Sequence, residues 1–169
     1  MTKILIAYYS RAGENYAGGA VRRLTTGNTE IAARRIAELT GGDLFRIDPV
    51  RPYSDDYRTC IQEAQRDQQA DARPALKETR NSISQYDTVY LCYPNYWGTM
   101  PMAVFSFLEQ YDFTGKTIRP LCTNEGSGLG RSEADIRRLC PGAVLTPGLA
   151  VVGHEVEQSG KIIRSWISA

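Results

Sequence analysis

Apolar positions along the chain alternate between two periods. Ile4-Leu5-Ile6-Ala7-Tyr8-Tyr9 is a continuous apolar run too short for a helix, the pattern of a strand buried on both faces. From Thr29 the spacing lengthens: Ala32, Ala33, Ile36 and Leu39 fall at helical intervals, and Gly41-Gly42 ends the helix. Residues 43–48 read as a second strand closed by Pro49, with Leu44, Phe45 and Ile47 apolar. The stretch 53–73 is polar and helical in composition and breaks at Pro74. Residues 87–93 form a third strand ending at Pro94, and the helix after Pro101 carries Val104, Phe105 and Leu108 on one face. Residues 116–123 give a fourth strand and 131–139 a helix. A fifth strand, 144–152, is interrupted near Pro147-Gly148, and a last helix over 155–167 buries Ile163, Trp166 and Ile167.

Strands alternating with helices at this length predict an α/β fold, a parallel sheet with helices on both faces joined by right-handed crossovers. In such sheets, ligands bind beyond the carboxyl ends of the strands, near the point where strand order reverses. The loops after the first, third and fourth strands are therefore the place to look for chemistry.

Composition narrows the classes. The 169 residues suit one domain spanning 1–169, with no repeat, linker or low-complexity tract. Lys plus Arg is 20 against 19 Asp plus Glu, without the basic excess of a nucleic-acid binder. The single His, His154, argues against a His-based metal site and a Ser-His-Asp triad, so no metal is expected. Cys60, Cys92, Cys122 and Cys140 lie far apart with no C-x-x-C, which reads as four small hydrophobes in a reducing, cytoplasmic setting. No apolar window approaches the roughly 20 residues of a membrane span, and the six-residue run from Ile4 to Tyr9 is too short for a signal peptide, so none is expected.

Each of the three loops has a chemical reading and a plain one. The first holds Ser10 and then Thr25-Thr26-Gly27-Asn28-Thr29 entering a helix; hydroxyls and free amides at a helix N-terminus suit a phosphate monoester, while Thr26 or Asn28 would also serve as a simple N-cap. The second is Pro94-Asn95-Tyr96-Trp97-Gly98-Thr99-Met100-Pro101, where an aromatic pair framed by prolines offers a preformed flat face, unless Trp97 folds into the core. The third, Thr123-Asn124-Glu125-Gly126-Ser127-Gly128-Leu129-Gly130, allows close backbone approach to a ring, or is a flexible turn. Neither the triphosphate P-loop string nor the G-x-G-x-x-G dinucleotide spacing is present. One phosphate site, one aromatic face and one close backbone contact together suit a phosphorylated flavin.

In these features the chain resembles a flavodoxin: Tyr-Ser after the first strand, Thr-Gly-Asn-Thr, an aromatic loop after strand three and a glycine-bearing loop after strand four. The likeness covers essentially all 169 residues. It implies a three-layer α/β/α sandwich around a five-stranded parallel sheet of order 2-1-3-4-5, with flavin mononucleotide (FMN) as cofactor. It further implies Ser10, Thr26, Asn28 and Thr29 around the phosphate. Pro94, Asn95, Tyr96, Trp97, Gly98 and Thr99 would border the ring and ribityl chain, and Thr123, Glu125, Gly126, Ser127 and Gly128 would close the other side.

Three departures stand out. Residues 11–24 intervene between Ser10 and Thr-Gly-Asn-Thr and carry Arg11, Arg22 and Arg23, either a solvated flap or extra contacts to an anion. The third loop lacks an aromatic to cover the outer flavin face. The net charge of +1 differs from the acidic surface that steers electron shuttles to their partners. The expected function is an electron-transfer protein working with a redox partner protein. The alternative is an FMN enzyme reducing a quinone or other small acceptor with NAD(P)H. Simple electron transfer needs no acid or base, so no catalytic residue is nominated. A receiver-type signalling domain would need aspartates where Tyr9-Ser10-Arg11 stand.

Overall fold

Odd and even positions of the central strands face opposite layers, and this alternation organises the molecule. The structure is a computed structural model describing residues 3–169. Its elements are β1 (Ile4–Tyr8), β2 (Gly13–Ala17), β3 (Ala20–Leu24), α1 (Asn28–Thr40), β4 (Asp43–Arg46), α2 (Tyr57–Gln69), β5 (Thr88–Pro94), α3 (Met102–Gln110), β6 (Thr117–Asn124), α4 (Ser132–Leu139), β7 (Val144–Leu145), β8 (Leu149–Val152) and α5 (Gly160–Ser168). A 3-10 helix, Gly153–Gln158, leads into α5.

All pairings of the main sheet are parallel, in the order β4-β1-β5-β6-β7, with β8 also on β6. β7 and β8 share the fifth position, parted around Pro147-Gly148, so the order among the parallel strands is the expected 2-1-3-4-5. Leu5, Ala7, Val89, Leu91 and Tyr93 face α3 and α4, packing with Val104, Phe107, Leu108 and Ile136. Ile6, Tyr8, Tyr90, Cys92 and Leu121 face α1 and α5, against Ala32, Ala33, Ile36 and Ile163. Central strands covered on both faces explain their unbroken apolar runs. Arg119 closes the second layer: its guanidinium lies between the Tyr90 and Trp166 rings and donates to the Trp166 and Ile167 carbonyls at the end of α5.

Within the intervening segment 11–24, residues 13–24 are a β-hairpin outside the main sheet, β2 antiparallel to β3 from Gly13↔Leu24 to Ala17↔Ala20, with Arg11 just before it. Gly18 and Gly19 form its two-residue turn with φ of 63° and 89°, the left-handed backbone that such tight hairpins require. The carboxyl ends of β1, β5, β6 and β8 meet at one edge beneath this hairpin. Among the described residues no helix is long and apolar enough to cross a membrane, and no group of His, Cys, Asp and Glu could hold a metal ion.

Candidate functional site

A cleft of about 350 Å³ opens at this edge, where the strand order reverses between β1 and β5. One end is the N-terminus of α1. Gly27 occupies the N-cap position with no side chain to offer, and the Ser10 hydroxyl reaches across to accept from the Glu30 amide at 3.0 Å. A Cβ on Gly27 would stand 2.2 Å from Ser10 Oγ, so only glycine permits that approach. Among the described residues, no backbone carbonyl accepts from the amides of Asn28 or Thr29. Both residues line the cleft, so their N–H groups and the positive end of the helix dipole are free for an anion. The buried Thr29 hydroxyl lies 2.7 Å from that of Thr123, tying this helix end to β6.

The middle of the cleft is built by the loops after β5 and β6, and Asn95 holds them together. Its Nδ2 donates to the Gly128 carbonyl, its Oδ1 accepts from the Gly98 amide, and its own amide donates to the Thr123 carbonyl, each at 2.9 Å. Tyr96 and Thr99 bridge each other in an antiparallel pair across Trp97 and Gly98, whose φ angles are 54° and 86°. That is a mirror-image hairpin turn with tryptophan at a position usually held by Asn, Asp or Gly. A bulky residue held left-handed stores roughly 1–3 kcal/mol of strain and is retained where the surroundings over-determine it. Here the indole N–H donates to the Ile61 carbonyl of α2 at 2.8 Å, leaving the ring on the cleft and 46% exposed. Tyr96 packs edge-on against Tyr9 at 5.7 Å. Burial, with Tyr9 and Cys60 adding to it, pushes the Tyr96 phenol well above its ordinary pKa, so it stays neutral beside the ligand space.

The far end of the cleft comes from segment 11–24 and α2: Arg11, Asn15 and Tyr16 on one side, Tyr57, Cys60, Ile61 and Ala64 on the other. The Tyr16 and Tyr57 rings lie 6.3 Å apart. They bring to the cleft the aromatic surface that the third loop lacks. The hairpin is fastened on both flanks. Glu125 accepts from the Gly18 amide at 2.7 Å and from the His154 amide and ring, while Glu14 accepts from the Tyr57 amide at 2.9 Å. Arg23 pairs with Asp55, holding that carboxyl below its usual range.

Of the residues expected to surround a ligand, Asn28, Thr29, Pro94, Asn95, Tyr96, Trp97, Thr123, Glu125 and Ser127 line this one cleft. The others lie outside its wall. Ser10 steadies α1, as above; Thr26 precedes the helix; Gly98 and Gly128 take the two Asn95 hydrogen bonds; the Gly126 amide donates to Asn124 Oδ1. Thr99 is buried with its hydroxyl on Asp135 of α4 at 2.6 Å, a brace rather than a lining group. Asn15, Tyr16, Tyr57, Cys60, Ile61, Ala64, Asn124 and Gly153 line the cleft without having been anticipated. For Asn15 and Tyr16 a signal existed, since Gly18-Gly19 between short alternating segments marks a hairpin.

Fold and cleft define a doubly wound parallel-sheet protein with a preformed cleft at its switch point. The chain belongs to the flavodoxin family, whose model, described as flavodoxin, matches residues 3–169. A candidate flavoprotein from Bacteroides uniformis is similar in structure at a TM-score of 0.78 and 27% identity, covering 99% of each chain. Another, from Bacteroides eggerthii, has a TM-score of 0.76 and 29% identity, covering 99% of this chain and 97% of that one. A Lactobacillus acidophilus flavoprotein solved in complex with FMN shares the fold at a TM-score of 0.63 and 17% identity, over 94% of this chain and 98% of its own. No curated protein matches the chain in sequence.

Proposed function

We propose that this chain binds FMN and uses it to transfer electrons. The observation that carries the reading is one continuous cleft with free helix amides at Asn28 and Thr29 and an aromatic wall at Tyr96 and Trp97. The first suits a phosphate dianion and the second a flat ring, and membership of the flavodoxin family supports the combination. In this reading the Asn28 and Thr29 amides hold the phosphate, and the Ser10 hydroxyl steadies that helix end through the Glu30 amide. Asn95 keeps the two ring loops at a fixed spacing. Tyr9 and Tyr96 stay neutral through burial and add no negative charge next to the ring. When bound, the flavin supplies the redox chemistry, taking up and returning one or two electrons.

Two roles are open to such a protein, carrier between proteins or reductase of a small acceptor fed by NAD(P)H. The carrier is the reading favoured by the small single domain. The reductase is favoured by one observation, the segment 11–24 that closes the far end of the cleft and presents Arg11 and Tyr16 to it. Anaerobic stopped-flow bleaching of the yellow, FMN-loaded protein separates them. A carrier is reduced slowly by NADH or NADPH alone and fast once a reductase is added, with a rate that falls with salt. A reductase is bleached directly and saturably at roughly 1 s⁻¹ or faster. A purified protein that is colourless and takes up no added FMN would overturn the proposal.

A further inference from the structure

Arg11 is the cation of the cleft's far end, and no carboxylate accepts a hydrogen bond from it among the described residues. Its Nη2 donates to the Ser54 and Asp55 carbonyls at 2.7 and 2.8 Å, which fixes the guanidinium and occupies both hydrogens of that nitrogen. Among the described residues the Nη1 and Nε hydrogens meet no acceptor. Asp55 pairs with Arg23 and Asp56 caps α2 through Thr59, which holds both carboxyls below the usual range, and Arg11 lies close enough to add to this. Arg22 donates from Nε to the Ala17 carbonyl, and neither Arg22 nor Arg23 lines the cleft. Segment 11–24 therefore offers the cleft a single fixed positive charge.

Around that charge the wall is largely aromatic and apolar, formed by Tyr16, Tyr57, Cys60, Ile61 and Ala64, with Asn15 beside them. It is also preformed, because the Gly18–Glu125 and Glu14–Tyr57 hydrogen bonds and the Arg23–Asp55 pair fix the hairpin on both sides. A flat, largely apolar wall with one guanidinium that no carboxylate bonds directly fits a planar aromatic ligand bearing one negative charge. A nucleotide with several phosphates would call for more free cations than Arg11 supplies.

We infer that the hairpin, Arg11 and α2 form a second subsite for a small planar aromatic monoanion, a carboxylate or sulfonate, next to the flavin. This rests on the FMN reading above. Arg11 donates to the anionic group from Nη1 and Nε, and the Tyr16 and Tyr57 rings cover the aromatic body.

The test uses FMN-loaded protein, its loading established first by the flavin absorption. 2-Naphthoate is titrated in, followed by Trp97 and Trp166 fluorescence and the flavin band, with 2-naphthamide as the neutral isostere. Naphthoate is expected to saturate one site and to bind roughly tenfold or more tighter than the amide, the scale of a charge-assisted hydrogen bond. Arg11→Gln should remove that preference. Tyr16→Ala, at an exposed position that leaves Arg11 in place, should weaken both ligands alike. Equal binding of acid and amide, no saturable binding to loaded protein, or a preference that survives Arg11→Gln would each overturn the subsite while leaving FMN binding intact. Failure to load FMN at all would overturn both.

Discussion

Trp97 shows how a single backbone angle links sequence to function. Its φ of 54° is a conformation that costs a bulky residue strain, and the indole is held by one hydrogen bond to Ile61. Trp97→Gly would relieve the strain and lose both the bond and the ring, changes of opposite sign near 1 kcal/mol each. The melting temperature should therefore move by only a few degrees, while FMN affinity falls roughly three- to tenfold with the lost aromatic contact. Calorimetry beside a fluorescence titration checks this. A large loss of stability with unchanged affinity would make Trp97 a structural residue.

The four cysteines are free and buried, and burial pushes Cys140 up to about 11 and Cys122 up to about 12. A thiol raised in the native state cannot ionise where the unfolded chain's thiols already do, above about pH 8.5. The unfolded state then binds fewer protons than the native one, so stability is fully present below that pH and declines as pH rises toward 11. Melting curves at successive pH values should show this fall, and a thiol reagent at pH 8 should react slowly until denaturant is added. Fast reaction of the native protein would contradict the burial.

Among the elements, the hairpin is the addition and the sheet is the frame. Gly13 and Leu24 are paired neighbours, and Gly27 lies against Ser10 and Arg11, so excising the hairpin leaves two ends that a short linker can join. The shortened chain should keep a cooperative melting transition and take up FMN, since the α1 terminus and the loops after β5 and β6 remain. Binding of aromatic ligands at the proposed second subsite should weaken, since Tyr16 leaves with the hairpin while Arg11 stays. A chain that no longer folds would mean that the hairpin is part of the core assembly.

The same contrast explains what was legible in the sequence. β1 and β5 are buried on both faces, so their apolar runs stand out, and α4 shows its apolar stripe. The helix expected over 155–167 is instead a 3-10 helix, Gly153–Gln158, and then α5, with Ile163 buried and Trp166 and Ile167 half-buried. β3, Ala20–Leu24, is exposed along most of its length, so Val21-Arg22-Arg23-Leu24 has no buried face to betray it. Residue type announced hydrogen-bonding capacity in the loops but not its direction. The Thr99 hydroxyl went to Asp135 and the Glu125 carboxylate to Gly18 and His154, partners that only the folded chain brings near. That Asn28, Thr29, Tyr96 and Trp97 face one cleft was readable because it depends on local position, at a helix start and in a proline-framed loop.

For the whole molecule, a net charge of +1 gives little long-range steering, so the proposed recognition would rest on the cleft. A ligand that binds only the folded state stabilises it by about 2.7 kcal/mol at a hundredfold excess over its Kd, which for a chain of this size is roughly 5–10 °C in melting temperature. The most direct measurement is a titration of the apoprotein with FMN and, in parallel, with riboflavin, which has the same ring and no phosphate. If the α1 terminus holds a phosphate, FMN binds one to one, raises the melting temperature by that amount, and is tighter than riboflavin by tenfold or more, the scale of charge-assisted hydrogen bonds from the Asn28 and Thr29 amides. Equal affinity for the two flavins, or uptake of neither, would contradict it.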